Sequence, residues 1–426
     1  MNDDIRPRQR IPISRAEPEH EHITTRPINP ETNVEIEDSS EAISSSPAEF
    51  PRSEHEEVVP KPKRNLWHRL RRWHPTKKQR LIIIPVIIII VIGGGLGVNK
   101  LLSNSKPHTI TATIKVTPVT KPVVSQPATV PSTLTGLPVS PSVNQLPVTA
   151  VMIENSTDAR PQSGLAQAGI VFEAVAEGGI TRYMALYQDT SPGYVGPIRS
   201  VRPYYLQLAL GFDASIAHVG GSPEAIQDIQ AWNVKDLDQF YNGSYYQRVN
   251  TRPAPHNVYT SIALLNQLED AKSNNTSTYS GFPRKTDSPT TAPTATSIDF
   301  NPSISEFEVH YDYNSTNDSY TRSVGGEPDM DVDQAGNETQ VAPKVVIALV
   351  MQQSLEADGL HTVYGTIGSG QAYIFQDGIV TIATWQKTSN TSQITFSNTK
   401  GQTINLNAGQ TWVTIVGSSN DVSYKT

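Results

Sequence analysis

The sequence predicts an α/β (α+β) protein: a first domain of mixed strands and helices, then a mostly β second domain. Three observations carry this expectation. Ile170–Glu177 and Ile180–Tyr187 both alternate and are separated by Gly178-Gly179, which is a hairpin signal. Three apolar-periodic stretches with helix start signals follow, near residues 203, 223 and 261. Beyond residue 303, short alternating runs recur between turns, and Asp377-Gly378 supplies a second hairpin pair.

Of the 32 prolines, 18 fall before residue 146, so the first third reads as mostly non-globular. Residues 1–60 carry 14 acids against 6 bases and are expected to form a disordered cytoplasmic tail. Glu19-His20-Glu21-His22 within it reads as a solvated charge run rather than a metal site. Residues 61–80, which complete the 1–80 segment, hold nine Lys/Arg and no acid. Leu66, Trp67, Leu70 and Trp73 recur there at helical spacing, which fits either an interfacial helix on anionic lipid or a plain topogenic charge cluster. Leu81–Val98 then runs for 18 residues without a polar side chain. At ~1.5 Å per residue it reaches ~27 Å, close to the hydrocarbon thickness of a bilayer. It is expected as a retained transmembrane helix, because a signal peptide would have a shorter apolar core and a small-residue cleavage site. The basic flank places the N-terminus in the cytoplasm and the rest outside. Residues 99–145 form a Pro/Thr-rich extracellular linker, a semi-rigid stalk.

Residues 146–275 form the expected first domain. Leu146–Asn155 reads as a buried strand. With a two-residue loop at Gly178-Gly179, Val175 would face Arg182, and Glu173, Glu177 and Arg182 would share one sheet face. That row is either a paired charge ladder or an acid/base pair, although residues four apart on a strand lie ~13 Å from each other. In GPIRSVRPYYLQLALG, Ser200 reads as N-cap and Pro203 as first-turn residue of a helix ending at Gly211. Arg199 and Arg202 sit on the wrong end of that helix dipole. They require compensation, either by Glu173 or Glu177 or by a bound anion. Ala214–Val219 reads as a strand, and Ser222-Pro223-Glu224 as the start of a helix. His218 lies four residues before Ser222, but no nucleophile elbow surrounds that serine. His256 and Asn257 occupy a loop before a helix spanning 261–272.

The stretches VMIENSTDARPQSGLAQAGIVFEAVAEGGITRYMALY, GPIRSVRPYYLQLA, HVGGSPEA and RPAPHNVYTS, in this order, resemble the YerB-like bacterial family, a two-domain family without established function. The likeness covers about residues 146–420. It implies an envelope-facing protein whose first domain is a layered sandwich of mixed sheets and helices. Many relatives look like lipoproteins held by an acylated Cys; this chain has no Cys, so the membrane helix would replace that anchor. Positions matching the family's polar motifs are Asn155, Arg160, Gln162, Glu173, Glu177, Arg182, Arg199, Ser200, Arg202, His218, Ser222, His256 and Asn257. All of them except Asn155 are the ligand-binding candidates, and none is assigned a catalytic role.

Residues 276–303 read as a connecting loop, and 304–426 as the mostly β domain, with GQTWVTIVG near its end resembling the family's C-terminal signature. Asp329, Asp331 and Asp333 are spaced like a calcium loop, but Gln334 and Gln340 stand where an EF-hand needs Gly and Glu, so a solvated acidic turn is expected. Zero cysteines exclude disulfides and thiolate chemistry. Residues 101–426 carry 27 acids against 18 bases, which argues against nucleic acid. The reading needs no cofactor and no metal. It favours a membrane-anchored module binding a cell-wall polymer or an envelope protein, with a wall hydrolase using Glu173 and Glu177 as the alternative.

Overall fold

The computed structural model describes residues 128–426. The tail, the basic segment and Leu81–Val98 lie outside the described residues, as does the linker up to residue 127. Among the described residues no helix is long and apolar enough to cross a membrane.

The described residues are mostly β with few helices. Their largest sheet has ten strands: β1 (Thr149–Glu154), β2 (Ile170–Glu177), β3 (Ile180–Tyr187), β4 (Ser215–Ala217), β5 (Lys235–Asp236), β6 (Val345–Val350), β7 (Gly368–Gln376), β8 (Ile379–Lys387), β9 (Thr395–Ser397) and β10 (Thr411–Val416). Their spatial order is β9-β8-β7-β6-β10-β2-β3-β1-β4-β5. The segments 146–275 and 304–426 thus share one sheet, joined where β10 runs parallel to β2, from Thr411↔Ile170 to Thr414↔Glu173. On its other side β10 runs parallel to β6. Strands covered on both faces read as near-continuous apolar runs: β6 (VVIALV) is one, and β10 (TWVTIV), buried throughout, is broken only by Thr411 and Thr414.

Alternation divides the core in two. Ala150, Met152, Phe172, Met184, Ile347 and Val413 join one cluster, together with helix α1 (Pro203–Leu210) and helix α2 (Pro223–Ala231). Val151, Ile153, Val171, Tyr183, Val346 and Trp412 join the other, with helix α3 (Ile262–Ala271). The second cluster also takes Ile298, Phe300, Val309, Tyr311 and Tyr320 from a five-stranded sheet built mainly of residues 297–324 and closed by Val422–Lys425. The connection 276–303 therefore contributes strands, Ser297–Phe300 among them, rather than loop alone.

Local signals place most elements. Ser222 caps α2 by accepting from Ala225 N at 3.3 Å, and Ser261 caps α3 by accepting from Leu264 N at 3.2 Å. Asp377 and Gly378 both have positive φ (56° and 76°), as a tight two-residue hairpin turn requires, and Gln376 pairs with Ile379. One helix start departs from the expectation. The N-cap of α1 is Arg202 rather than Ser200, and it makes no side-chain cap bond. Pro203 occupies the first turn, where its missing N–H costs nothing.

Candidate functional site

The Gly178-Gly179 loop forms as read, with Glu177 opposite Ile180, but the register then shifts between Val175 and Glu177. Arg182 consequently lies opposite Ala174, Thr181 opposite Val175 and Tyr183 opposite Glu173. One extra residue on one strand sends the side chains beyond it to the other face. Glu173 therefore does not share a face with Arg182, which corrects the expected three-residue row. Glu177, past the irregularity, does meet Arg182.

Glu173 is wholly buried and so is its partner, Arg322, at 2.8 Å. The same carboxylate oxygen accepts from Trp412 Nε1 at 3.0 Å and Thr414 Oγ1 at 3.2 Å. Arg322 also pairs with buried Asp329 and donates to Tyr311 OH at 3.3 Å. Its guanidinium lies 4.3 Å from the Trp412 ring centroid and 5.5 Å from that of Tyr183. Burial raises the Asp329 pKa, and the Arg322 charge offsets this only in part. The other Glu173 oxygen accepts from Thr181 Oγ1 at 3.3 Å, which accepts from Asn155 Nδ2 at 2.7 Å. Asn155 Oδ1 in turn accepts from Arg160 Nε (3.1 Å) and Gln162 Nε2 (3.0 Å). Arg160 reaches on to the Glu306 carbonyl at 2.9 Å and stacks on Phe307. This ladder ties the two halves of the chain together and leaves Glu173 no room for a substrate. With the two carboxylates on different faces, the acid pair required by the hydrolase alternative is not assembled.

A second cluster forms beside α1. Arg182 donates to Glu177 Oε1 at 2.6 Å, and Arg202 pairs with Oε2. Ser200 lies between the guanidiniums: its carbonyl accepts from Arg182 (3.0 Å), and its hydroxyl accepts from Arg202 (3.0 Å). Burial pushes the Glu177 pKa up, but the charges of Arg182 and Arg202 outweigh it and hold it below the ordinary carboxylate range. Both oxygens of Glu177 are spent, so Arg202 is compensated from within. The internal-carboxylate alternative holds for Arg202, not the bound anion.

The third group adjoins it, since Glu154 is the cross-strand partner of Arg182. Glu154 is nearly buried and receives His256 Nδ1 at 3.0 Å and Ser156 Oγ at 2.9 Å. Arg199 Nε lies 3.4 Å from it, and the Arg199 side chain is 26% exposed. Ser156 approaches the same ring nitrogen of His256, at 3.4 Å. In a nucleophile–base–acid array the hydroxyl and the acid meet opposite nitrogens, so these residues are not a triad. Across the two groups, Arg182, Arg199 and Arg202 face Glu154 and Glu177, a surplus of one positive charge. Arg199 is the one arginine of the three whose terminal nitrogens have no hydrogen-bond partner among the described residues.

The remaining candidates serve the fold. His218 is buried, its Nδ1 2.8 Å from the Gly220 carbonyl and its Nε2 2.9 Å from Asp236, so it is not a base for Ser222. Asn257 accepts from Arg248 at 3.0 Å and donates to the Val249 carbonyl. The three spaced aspartates do not converge. Asp329 holds Arg322, Asp331 accepts from Leu165 N at 2.9 Å, and Asp333 accepts from Ala335 N and Asn337 N in its own turn. Glu356, Asp358 and His361 bring ligand atoms within 4.8 Å of one another, but His361 Nδ1 is already hydrogen-bonded to Asp358. Glu154, Arg322 and Trp412 escaped the sequence reading. The legible signal for Arg322 was period two: Tyr320, Arg322 and Val324 are all buried on one face of their strand.

Comparison with known proteins places these motifs. Residues 134–277 match the model of the "Protein of unknown function (DUF3048) N-terminal domain", and residues 297–413 match that of its C-terminal domain. The chain belongs to this family. It is 29% identical over 287 residues to "Putative lipoprotein YerB" of Bacillus subtilis, covering 66% of this chain and 85% of that protein. The crystal structure of YerB from Bacillus subtilis matches with a TM-score of 0.62 at 28% identity, covering 70% of this chain and 100% of that one. The membership is thus to a YerB-like family of unknown function, and the geometry above must carry any functional reading.

Proposed function

We propose that this chain is an envelope-facing binding module, anchored by Leu81–Val98 with its N-terminus in the cytoplasm, that accepts a carboxylate or phosphate at Arg199. The wall polymer or a partner envelope protein supplies that group. The observation carrying the reading is the contrast among the three arginines. Arg182 and Arg202 are buried and committed to Glu177 and Ser200, whereas Arg199 keeps open nitrogens on a half-exposed side chain. A guanidinium fork binds planar anions through two parallel hydrogen bonds, and a Lys does not reproduce this. Beside it, His256 and Glu154 form a preorganised polar rim. The anchor rests on the apolar run and its basic flank, and the name of the Bacillus relative, a "Putative lipoprotein", supports an attached envelope protein.

The test is retention of the full chain on purified cell wall, with thermal melting as the control for folding. Arg199→Lys is expected to weaken retention about tenfold, the worth of one charged hydrogen-bonded contact, while leaving the melt unchanged. Wild-type retention in that variant would overturn the reading. Protease added to intact cells is expected to remove the C-terminal part; full protection under conditions that digest other surface proteins would overturn the topology.

A further inference from the structure

Away from that site, the segment Arg284–Lys285 pairs in parallel with Leu406–Asn407, making Lys285 and Asn407 direct register partners. Lys285 Nζ contacts Asn407 Oδ1, so the Asn407 carboxamide carbon lies within one carbonyl bond length, about 1.2 Å, of the contacted atom. Asp377 bridges the pair: its Oδ2 is 2.6 Å from Lys285 Nζ and its Oδ1 is 2.8 Å from Asn407 Nδ2. Asp318 Oδ2 also meets Asn407 Nδ2, at 3.1 Å. One carboxylate thus touches both the nitrogen placed to attack and the nitrogen placed to leave. Asn407 is wholly buried, and Asp377 and Asp318 are nearly so. The hydroxyl of Tyr313 holds Asp318 at 2.8 Å, and that of Tyr320 accepts from Gly378 N at 3.1 Å. Gly378 lies directly under the Tyr313 ring, where a Cβ would come within 2.7 Å of it.

We propose that Lys285 and Asn407 close a covalent amide bond between their side chains, with Asp377 carrying the protons. The Lys285 ammonium gives a proton to Asp377 Oδ2, and the freed amine lone pair attacks the Asn407 side-chain carbonyl carbon. A nitrogen–carbon bond forms as the carbonyl π pair moves onto Oδ1. That pair returns as the carbon–Nδ2 bond breaks. Nδ2 takes one proton from the attacking nitrogen and one from Asp377, and leaves as ammonium. The ammonium charge of Lys285 departs with it, and the reaction needs no oxidant, metal or cofactor. Burial pushes the Asp377 carboxyl up, but the Lys285 ammonium and the hydrogen bond from Asn407 outweigh it and hold it below its ordinary range, so it stands ionised to accept the first proton and gives it up readily afterwards. The exclusion of water from Asn407 protects the carboxamide from hydrolysis while the amine is held against it. The bond would fasten the connection between the two matched segments, residues 278–296, to the strand just before β10.

Intact-mass spectrometry of the full-length chain tests this directly. The expected mass falls short of the sequence mass by one ammonia, and trypsin releases a single branched peptide containing both Lys285 and Asn407. Lys285→Arg and Asp377→Ala are each expected to restore the full mass for their sequences. Because wild type alone is decisive, the test survives a variant that fails to fold. A full-mass wild-type chain with a cooperative melt overturns the proposal and leaves Lys285 as an ion-pair partner of Asp377. A deficit that persists in Lys285→Arg overturns it equally.

Discussion

Glu173 and Glu177 sit four residues apart on one strand, yet they live under opposite physical regimes. Glu173 is enclosed with Arg322 and Asp329 in a dry box of Trp412, Tyr183 and Tyr311. Glu177 lies at the strand end, partly open, between Arg182 and Arg202. In the box, attraction is strong but desolvation is costly, so the set is stable only when complete. At the edge the Glu177 end of each pair reaches water while the arginines stay buried, and single losses are cheaper. A carboxylate–arginine contact therefore means two different things along this strand: in the box an architectural joint between halves, at the edge a brace holding the segment that presents Arg199.

The largest expected effect separates the two regimes. Arg322→Met leaves two carboxylates buried without a cation and is expected to lower unfolding free energy by about 3–5 kcal/mol in urea titration. Replacing Glu173, Arg322 and Asp329 together by apolar residues of similar volume is expected to be far milder than that single change. If instead the triple variant is the weaker chain, the box is not dry. Glu177→Gln is expected to cost about 2 kcal/mol, because it removes charge from two hydrogen-bonded arginines while keeping its shape. A cost matching that of Arg322→Met would erase the distinction.

Titration sharpens the contrast with carboxylates that have no ion-pair partner among the described residues. Burial pushes Glu269 up to about 7 and Asp331 up to about 6, from ordinary values of 4.5 and 3.8. The folded state therefore prefers their protonated forms, so their contribution is complete below about pH 4 and is lost as pH rises through 6 to 7. Glu177, lowered by its arginines, behaves oppositely: its contribution is present above the ordinary carboxylate range and is lost as pH falls through its depressed pKa. Glu269→Gln is expected to flatten the decline in stability between pH 4.5 and 7, checked by denaturant midpoints across that range. The smallest effect belongs to Ser222→Ala, which removes one helix cap and is expected to cost about 1 kcal/mol without touching either cluster.

Elements carried by local chemistry were readable from the chain. Gly178-Gly179, Asp377-Gly378, Ser222-Pro223 and Ser261 each mark a turn or a helix start within a few residues, and each forms where its residues demand. Sheet membership was not readable. Thr411–Val416 reads as a closing strand of the second domain but lies against β2, because apolar alternation specifies burial without naming a partner. The register shift before Glu177 was equally hidden, as an extra residue leaves no compositional mark, and it alone moved Glu173 to the face where Arg322 waits. For the candidate site, the arginines and His256 were legible as polar residues in awkward places. Their pairing depended on Glu154, which passed as one more residue of a buried strand.

The position of β10 bears on how such a chain is made. It is the last of the ten strands in chain order, yet it lies between β6 and β2 near the middle of the largest sheet. Until residue 416 has emerged from the ribosome, β2 and β6 have no strand between them, and Glu173 lacks Trp412 and Thr414. Pairings of such long sequence separation close late and slowly. An early stop codon or a nick ahead of Thr411 would therefore strip the sheet at its midline and expose two apolar edges to unintended partners. Both halves acquire their shared core only when this strand of six residues arrives between β6 and β2.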